Sequence, residues 1–249
     1  MPRATPPLAS GPPTLSLDPH LIVETISRLE ARIDERFPES GLGRLCGSLL
    51  DIGEHTKERL DDIEKPILWL RAATWLMAAL VIGGAIAAIR AVLLILPTGF
   101  ESTFDAITLL EAGIQDVVFI GFGLAFLVTA ENRLRRRQAL AFIRELRAIA
   151  HIVDMHQLTK DPDRLVHAGT DDTDSSPMRS LDHDQLGRYL DYCSELLSLT
   201  SKLAALYAER FSDEVILQAV DEVEALTSGL SNKIWQKIMI LDGAGPKGA

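Results

Sequence analysis

The sequence lacks the motifs by which many enzymes are recognised. It has no glycine-rich phosphate loop, no GxSxG nucleophile motif, no HExxH pair and no paired CxxC motifs. Its two cysteines, Cys46 and Cys193, match no zinc-binding or redox spacing, so we interpret them as small apolar residues in a reducing cytosol. We therefore predict a non-enzymatic protein with no catalytic residues and no cofactor.

The chain also lacks the excess of positive charge that broad nucleic-acid binding requires. It carries 25 Lys and Arg against 35 Asp and Glu, which gives a net charge of -10. A protein that binds nucleic acids presents a basic face to the phosphates, so we predict no nucleic-acid partner. What the chain has instead is apolar sequence, since 47% of its residues are hydrophobic.

The apolar residues concentrate in two segments, about 67–96 and 104–130, joined by a short connector. A helix of about 20 mostly apolar residues crosses a hydrocarbon layer of about 30 Å, and each segment is long enough to do so. The range Ala72–Ile89 contains no charged residue. We therefore predict a two-span transmembrane hairpin over residues 67–130, with the lipid bilayer as its partner.

Positive charges beside the spans predict the orientation of this hairpin, because Lys and Arg next to spans mark the cytoplasmic side. Lys65 and Arg71 lie before or at the start of the first span, whereas the connector carries only Glu101. We interpret the basic cluster after the second span as this topology signal, or as a site for anionic lipid head groups: Arg133, Arg135, Arg136 and Arg137. The distribution predicts a multi-pass protein of the bacterial inner membrane with both termini in the cytoplasm.

The second span is the less regular of the two. Its uncharged part, Val117–Ala130, makes a helix of about 21 Å at about 1.5 Å per residue, which is too short to cross. The span must therefore bring Asp116, Gln115 and Glu111 into or near the apolar layer, where ionisable groups face a partner or a water-filled cavity. Arg90 and Glu111 lie about equally far from the turn. We expect either a structural ion pair between these two residues or a polar path across the membrane.

Small residues recur at every fourth position of the first span, at Ala79, Gly83, Ala87 and Ala91. In lipid, such a row allows helix backbones to approach closely and is typical of a packing face. The pattern leaves open whether this face packs within one hairpin or between subunits. Two helices alone give little room to cover Asp116, which favours a homo-oligomer.

The regions outside the hairpin predict helices, and the whole chain therefore predicts an all-α fold. Residues 1–18 are rich in proline and predict a disordered tail. Amphipathic patterns predict cytoplasmic helices over 19–65 and a cytoplasmic three-helix bundle over 131–241. Within that bundle we expect a mobile loop at 159–182, and after it a tail at 242–249. The N-terminal helices cannot bury their apolar sides alone and need the C-terminal domain or another subunit.

Local signals predict where helices begin and which faces they bury. Asp18-Pro19 has the form of an N-cap followed by proline at the first helical position, and Ser212 is a suitable N-cap for the last helix. The run Glu54–Lys65 carries both signs of charge, as on a solvated helix face or a coiled-coil flank. After the second span the helical period continues into the cytoplasm. The predicted stripe there consists of Phe142, Leu146, Ile149, Val153 and His156.

The densest group of potential metal ligands or general bases is His151, Asp154 and His156. His and Asp are suitable donors for a transition metal. On a helix His151 and Asp154 share a face at a separation of three, whereas His156 points away from His151. We therefore predict packing and surface roles for these residues, with a metal site as the alternative.

Three hypotheses for function follow. The first is an integral membrane protein whose cytoplasmic helices self-associate and bind a cytoplasmic protein partner. The second is a small oligomeric pore or channel with Glu111, Gln115 and Asp116 around an axis. Two predicted spans with cytoplasmic helices resemble, in layout, the two-span effectors of prokaryotic conflict systems called SLATT proteins, and this resemblance of architecture carries over no functional residue. The third is a membrane-anchored, metal-dependent enzyme.

Overall fold

The structure is a computed structural model that describes residues 16–95, 103–160, 162 and 181–244. These residues are largely helical and contain no strand, which confirms the prediction of an all-α fold. The predicted connector of the hairpin, most of the predicted tails and most of the predicted loop lie outside them. The described residues form six helices: α1 (Pro19–Arg36), α2 (Gly41–Glu64), α3 (Leu68–Ile95), α4 (Thr103–Leu158), α5 (His183–Arg210) and α6 (Glu214–Ala244).

The helices divide between two compact units. The first, which we call the bundle unit, comprises the described residues within Met1–Leu60 and Leu140–Ala249, and the second, the apolar unit, comprises those within Asp61–Ala139. Helices α1, α5 and α6 belong to the bundle unit and α3 to the apolar unit, while α2 and α4 contribute to both. The N-terminal helices therefore share a unit with the C-terminal helices, although the two predicted spans separate them in sequence.

Helix α1 begins where the sequence predicts. The Asp18 carboxylate accepts a hydrogen bond from His20 N at 2.9 Å, and Pro19 lies in the first turn. Its buried residues recur at helical spacing: Ile22, Ile26, Leu29 and Ile33. Helix α1 packs against α5, and Arg32 forms an ion pair there with Glu195.

Helix α5 is the central helix of the bundle unit. It packs against both α1 and α6, and adjacent residues such as Leu196 and Leu197 are both buried. A helix that is apolar on several sides must be covered on several sides. Its start is fixed by a capping box, in which Asp182 accepts from Gln185 N at 2.7 Å and the Gln185 carboxamide accepts from Asp182 N at 3.1 Å. All three tyrosines of the chain are buried on α5: Tyr189, Tyr192 and Tyr207.

Helix α6 begins one residue later than predicted. The Asp213 carboxylate accepts hydrogen bonds from Val215 N at 3.1 Å and from Ile216 N at 3.3 Å. Asp213 is therefore the N-cap, and the prediction of Ser212 is wrong because the carboxylate directly before the first turn reaches these amides. The helix ends at Ala244, two residues beyond the predicted start of the tail.

The part of α4 within the bundle unit buries a stripe that agrees only in part with the predicted one. Leu146, Ile149 and Val153 are buried as predicted, but Phe142 and His156 are half-buried. On a helix Gln157, four residues after Val153, lies closer to the stripe than His156, which is three residues after it. The other buried residues of this face are Ile143, Ala150 and Gln157.

The apolar unit exposes the residue types that the bundle unit buries. Within the described part of the chain one stretch, Gly41–Ala87, is long and apolar enough to cross a membrane. Only 6% of the most apolar part of this stretch is buried. This finding supports membrane association. The large apolar side chains that α3 and α4 expose in this unit are Leu68, Trp69, Trp75, Leu76, Leu80, Ile82, Ile86, Ile89, Val118, Phe119, Phe122, Phe126 and Leu134.

Candidate functional site

A groove within the apolar unit is the first candidate site among the described residues. Its volume is about 680 Å³, and it lies between the first turn of α3 and the middle of α4. Apolar and aromatic side chains form most of its wall, and two arginines lie at its end toward the C-terminal part of α4. The residues that line this groove are Trp69, Leu70, Phe122, Ala125, Phe126, Thr129, Ala130, Arg133, Leu134 and Arg137.

The helical repeat explains why these residues share one wall. On α4, Phe122, Phe126, Arg133 and Arg137 follow one another at separations of four, seven and four, which keep to one face of a helix. The only hydroxyl in the wall belongs to Thr129, and it already donates a hydrogen bond to the carbonyl of its own helix at 2.6 Å. The groove therefore offers apolar contacts along its length and positive charge at one end.

The four arginines after the second predicted span have different surroundings. Arg133 and Arg137 line the groove, are exposed, and are paired with no carboxylate in the described part of the chain. Arg135 instead forms an ion pair with Glu131 at 2.7 Å, and both side chains are largely covered. Arg136 is not part of the groove wall. The separation of four residues between Arg133 and Arg137 was the signal in the sequence that these two arginines share one helix face.

The polar residues predicted near the membrane centre are placed as follows. Arg90, Glu111 and Gln115 are exposed within the apolar unit, while the side chain of Asp116 lies outside the described residues. No ion pair joins Arg90 to Glu111 among the residues that the structure describes. In a hydrocarbon layer these exposed polar groups would need cover from another molecule or from water.

The row of small residues on α3 is also uncovered. Ala79, Gly83 and Ala87 are exposed, and a Cβ atom added at Gly83 would have no protein atom within 4 Å. The side chain of Ala91 lies outside the described residues. Gly123 of α4 is a contrast, because a Cβ atom there would lie 3.6 Å from Met77 Cε. Within the described chain the row thus leaves room for a further helix.

The structure does not bring the three potential metal ligands together. His151 is exposed, and Asp154 accepts a hydrogen bond from Gln157 Nε2 at 2.7 Å. Burial lowers the pKa of His156, and the nearby charge of Arg44 lowers it further. No group of three His, Cys, Asp or Glu side chains that could hold a metal ion occurs among the described residues.

Sequence reasoning missed a polar cavity of about 350 Å³ in the bundle unit. His156 lies beside Gly41 there, and a Cβ atom at Gly41 would come within 2.3 Å of His156 Cε1. The ammonium of Lys160 lies 5.4 Å from the ring centroid of Tyr189. Three separate stretches of sequence supply the wall, so no local motif marks it: Phe37, Pro38, Ser40, Gly41, His156, Thr159, Lys160, Leu181 and Tyr189.

The comparisons with known proteins add no family to this description. No protein family model, no curated protein and no solved structure matches the chain. The fold and the groove define its class, which is an all-α protein with a well-packed helical bundle and a separate unit of exposed apolar helices.

Proposed function

We propose that this is a non-enzymatic integral membrane protein. In this proposal the apolar unit is a two-span hairpin, and the bundle unit is a cytoplasmic domain for self-association and for binding a protein partner. The supporting observation is the exposure of large apolar side chains, with Trp75 75% and Phe122 72% exposed. At about 25 cal/mol per Å² of apolar area, such a surface is strongly disfavoured in water, and a hydrocarbon layer removes that cost.

Self-association rests on the uncovered faces of the same unit. A second copy that packs on Ala79, Gly83 and Ala87 would use the close backbone approach that small residues permit in lipid. It would also cover polar groups such as Glu111 and Gln115, which are costly when they face hydrocarbon. Size analysis in detergent tests this part of the proposal, and a strict monomer would contradict it.

Aspartate substitutions test membrane insertion. Leu80→Asp combined with Ile86→Asp places two charges on exposed positions of α3, which a soluble helix would tolerate and a spanning helix would not. We expect the variant to lose its place in the membrane fraction after an alkaline carbonate wash, whereas the parent protein stays there. The control is Leu21→Asp, which changes an equally exposed leucine of the bundle unit and should leave the fractionation unchanged.

Cysteine labelling tests the two-span topology. Cys46 and Cys193 are buried, and burial raises the pKa of each thiol to about 12, so their background reaction with maleimides is low. In intact spheroplasts an impermeant maleimide should label Phe100→Cys, in the predicted connector, and should not label Met155→Cys in the bundle unit. Met155 is 66% exposed and should react once the membrane is opened. Labelling of both positions from the same side would contradict the hairpin.

A second candidate function, an oligomeric pore, is supported by the exposure of Glu111 and Gln115 on α4. Residues of this kind in a spanning helix face a partner or water. We expect ion flux from purified protein in liposomes to fall with Glu111→Gln or Asp116→Asn, and to persist with Glu222→Gln, which lies in the bundle unit. Liposomes that stay tight with the parent protein would remove this candidate and leave the first.

A further inference from the structure

We infer that the groove of the apolar unit binds one anionic phospholipid, with an acyl chain along its aromatic wall and the phosphate between Arg133 and Arg137. This inference rests on the proposed membrane function and makes it more specific. It assigns the binding of a lipid head group to Arg133 and Arg137 and not to the other two arginines.

The dimensions of the groove fit one leaflet of a bilayer. From Phe122 to Arg133 the helix rises about 16 Å at about 1.5 Å per residue, and half of a hydrocarbon layer is about 15 Å thick. An acyl chain that starts at the arginines and follows the wall toward Phe122 therefore stays within the layer for its length. Trp69 lines the same groove on α3, and indole rings favour the level of the head groups.

The charges at the end of the groove fit a phosphate. Residues four apart on a helix have Cβ atoms about 5–6 Å apart, so two guanidinium groups at 133 and 137 can approach one phosphate together. Each guanidinium offers a fork of N–H donors that matches phosphate oxygens. Arg135 provides the internal contrast, because Glu131 already neutralises it.

The same charges favour an anionic lipid over a zwitterionic one. No carboxylate is paired with Arg133 or Arg137 in the described residues, so the end of the groove carries two uncompensated positive charges. A zwitterionic head group would bring a third positive charge, whereas an anionic head group without an ammonium, such as that of phosphatidylglycerol, would not. Each basic residue near an anionic lipid surface is expected to contribute about fivefold in affinity.

The test is a lipid titration of the full chain in detergent, followed by native mass spectrometry. The probe is phosphatidylglycerol, with phosphatidylcholine as the zwitterionic comparison. We expect phosphatidylglycerol to bind at one site more tightly than phosphatidylcholine, and Arg133→Gln with Arg137→Gln to weaken it by about 25-fold. The matched control, Arg135→Gln, should stay within about twofold because its guanidinium is already paired.

Several outcomes would overturn the inference. Equal binding of the two lipids would contradict a lipid site, as would an unchanged affinity of the double glutamine variant. Displacement of phosphatidylglycerol by inorganic phosphate at the concentration of the lipid would also contradict it. Arg133→Lys with Arg137→Lys keeps both charges and should retain more affinity than the glutamine pair, so equal loss would also contradict it. If the double glutamine variant does not fold, Arg137→Gln alone should lose about fivefold.

Failure of this inference and failure of the proposed function give different results. A protein that carbonate washes out of the membrane contradicts the membrane proposal itself. A protein that remains in the membrane but binds both lipids equally contradicts only the head-group site.

Discussion

The two units of this molecule treat the same side chain in opposite ways. Leu197 in the bundle unit is 0% exposed, whereas Leu80 in the apolar unit is 64% exposed. Both lie on long helices, so helix formation does not account for the difference. The bundle unit buries its apolar side chains against one another, whereas the apolar unit exposes many of its apolar side chains on its surface. The helices of the second unit are therefore suited to an apolar solvent.

Leucine truncation tests this contrast most strongly. Leu197→Ala should lower the free energy of unfolding of the bundle unit by about 2–5 kcal/mol, because it leaves a cavity in a packed core. Leu80→Ala should change stability by no more than about 0.5 kcal/mol, since no protein atom packs around most of that side chain. Chemical unfolding in detergent measures both, and equal losses would break the comparison.

Loss of a helix cap should have the next largest effect, again in the bundle unit alone. Lys237 Nζ donates hydrogen bonds to Gln157 O at 2.8 Å and to Lys160 O at 3.2 Å at the C-terminal end of α4. Lys237→Met should cost about 1.5–3 kcal/mol, the range for hydrogen bonds to a charged group. Lys233→Met changes an exposed lysine of the same helix and serves as the control in the same unfolding experiment.

A small added group should reveal how tightly the polar cavity is built. Gly41→Ala pushes a methyl group against the His156 ring and should cost about 1–3 kcal/mol by overpacking. In a His156→Ala background most of that cost should disappear, so the double variant should lose less stability than the sum of the two single variants. The counterpart in the apolar unit is Gly83→Ala, which meets open space and should be close to neutral. Additive effects of Gly41→Ala and His156→Ala would contradict a contact between position 41 and the His156 ring.

Two histidines should give the bundle unit opposite dependences on pH. The pKa of His156 is lowered by burial and by Arg44 and Lys160, so its stabilising contribution is present above about pH 6.5 and is lost as pH falls through the lowered pKa. The pKa of His183 is raised, chiefly by its hydrogen bond to Leu241 O at 2.9 Å, so its contribution is present below about pH 6.5 and is lost as pH rises through the raised pKa.

Glutamine at each histidine checks these signs. Unfolding measured between about pH 5 and 8 should become less sensitive to acid with His156→Gln, whereas His183→Gln should remove stability at the acidic end. The same direction of change for both variants would contradict the assignment.

The smallest expected effect comes from surface ion pairs. Arg147 and Glu222 are 2.9 Å apart, and their side chains are about half exposed, so a double-mutant cycle should give about 0.2–1 kcal/mol and less at high salt. The pair Arg135 and Glu131 in the apolar unit is more covered and should depend less on salt. Equal salt dependence would argue against different surroundings for the two units.

Much of the helical fold was predictable because its signals are local. Asp18 followed by Pro19 predicted the start of α1, and the period of Ile22, Ile26 and Leu29 predicted its buried face. The start of α6 was misplaced because Ser212 and Asp213 are both good caps, and only the geometry of the chain decides which oxygen meets the amides.

The candidate sites were harder to predict because they depend on packing between distant residues. Helical spacing alone relates Arg133 to Arg137, but Trp69 of α3 completes the groove only in the folded unit. The cavity beside His156 also includes Gly41, which lies more than 100 positions earlier in the chain, so no spacing in the sequence indicates this cavity.

The distribution of aromatic residues has an optical consequence. The three tyrosines are buried on α5, whereas the three tryptophans, Trp69, Trp75 and Trp235, are exposed, and the first two belong to the apolar unit. Near-ultraviolet circular dichroism of the phenol rings should therefore follow the loss of the packed core. Indole emission should instead respond to what surrounds the exposed tryptophans, so the two signals could follow unfolding and transfer from water to lipid as separate events.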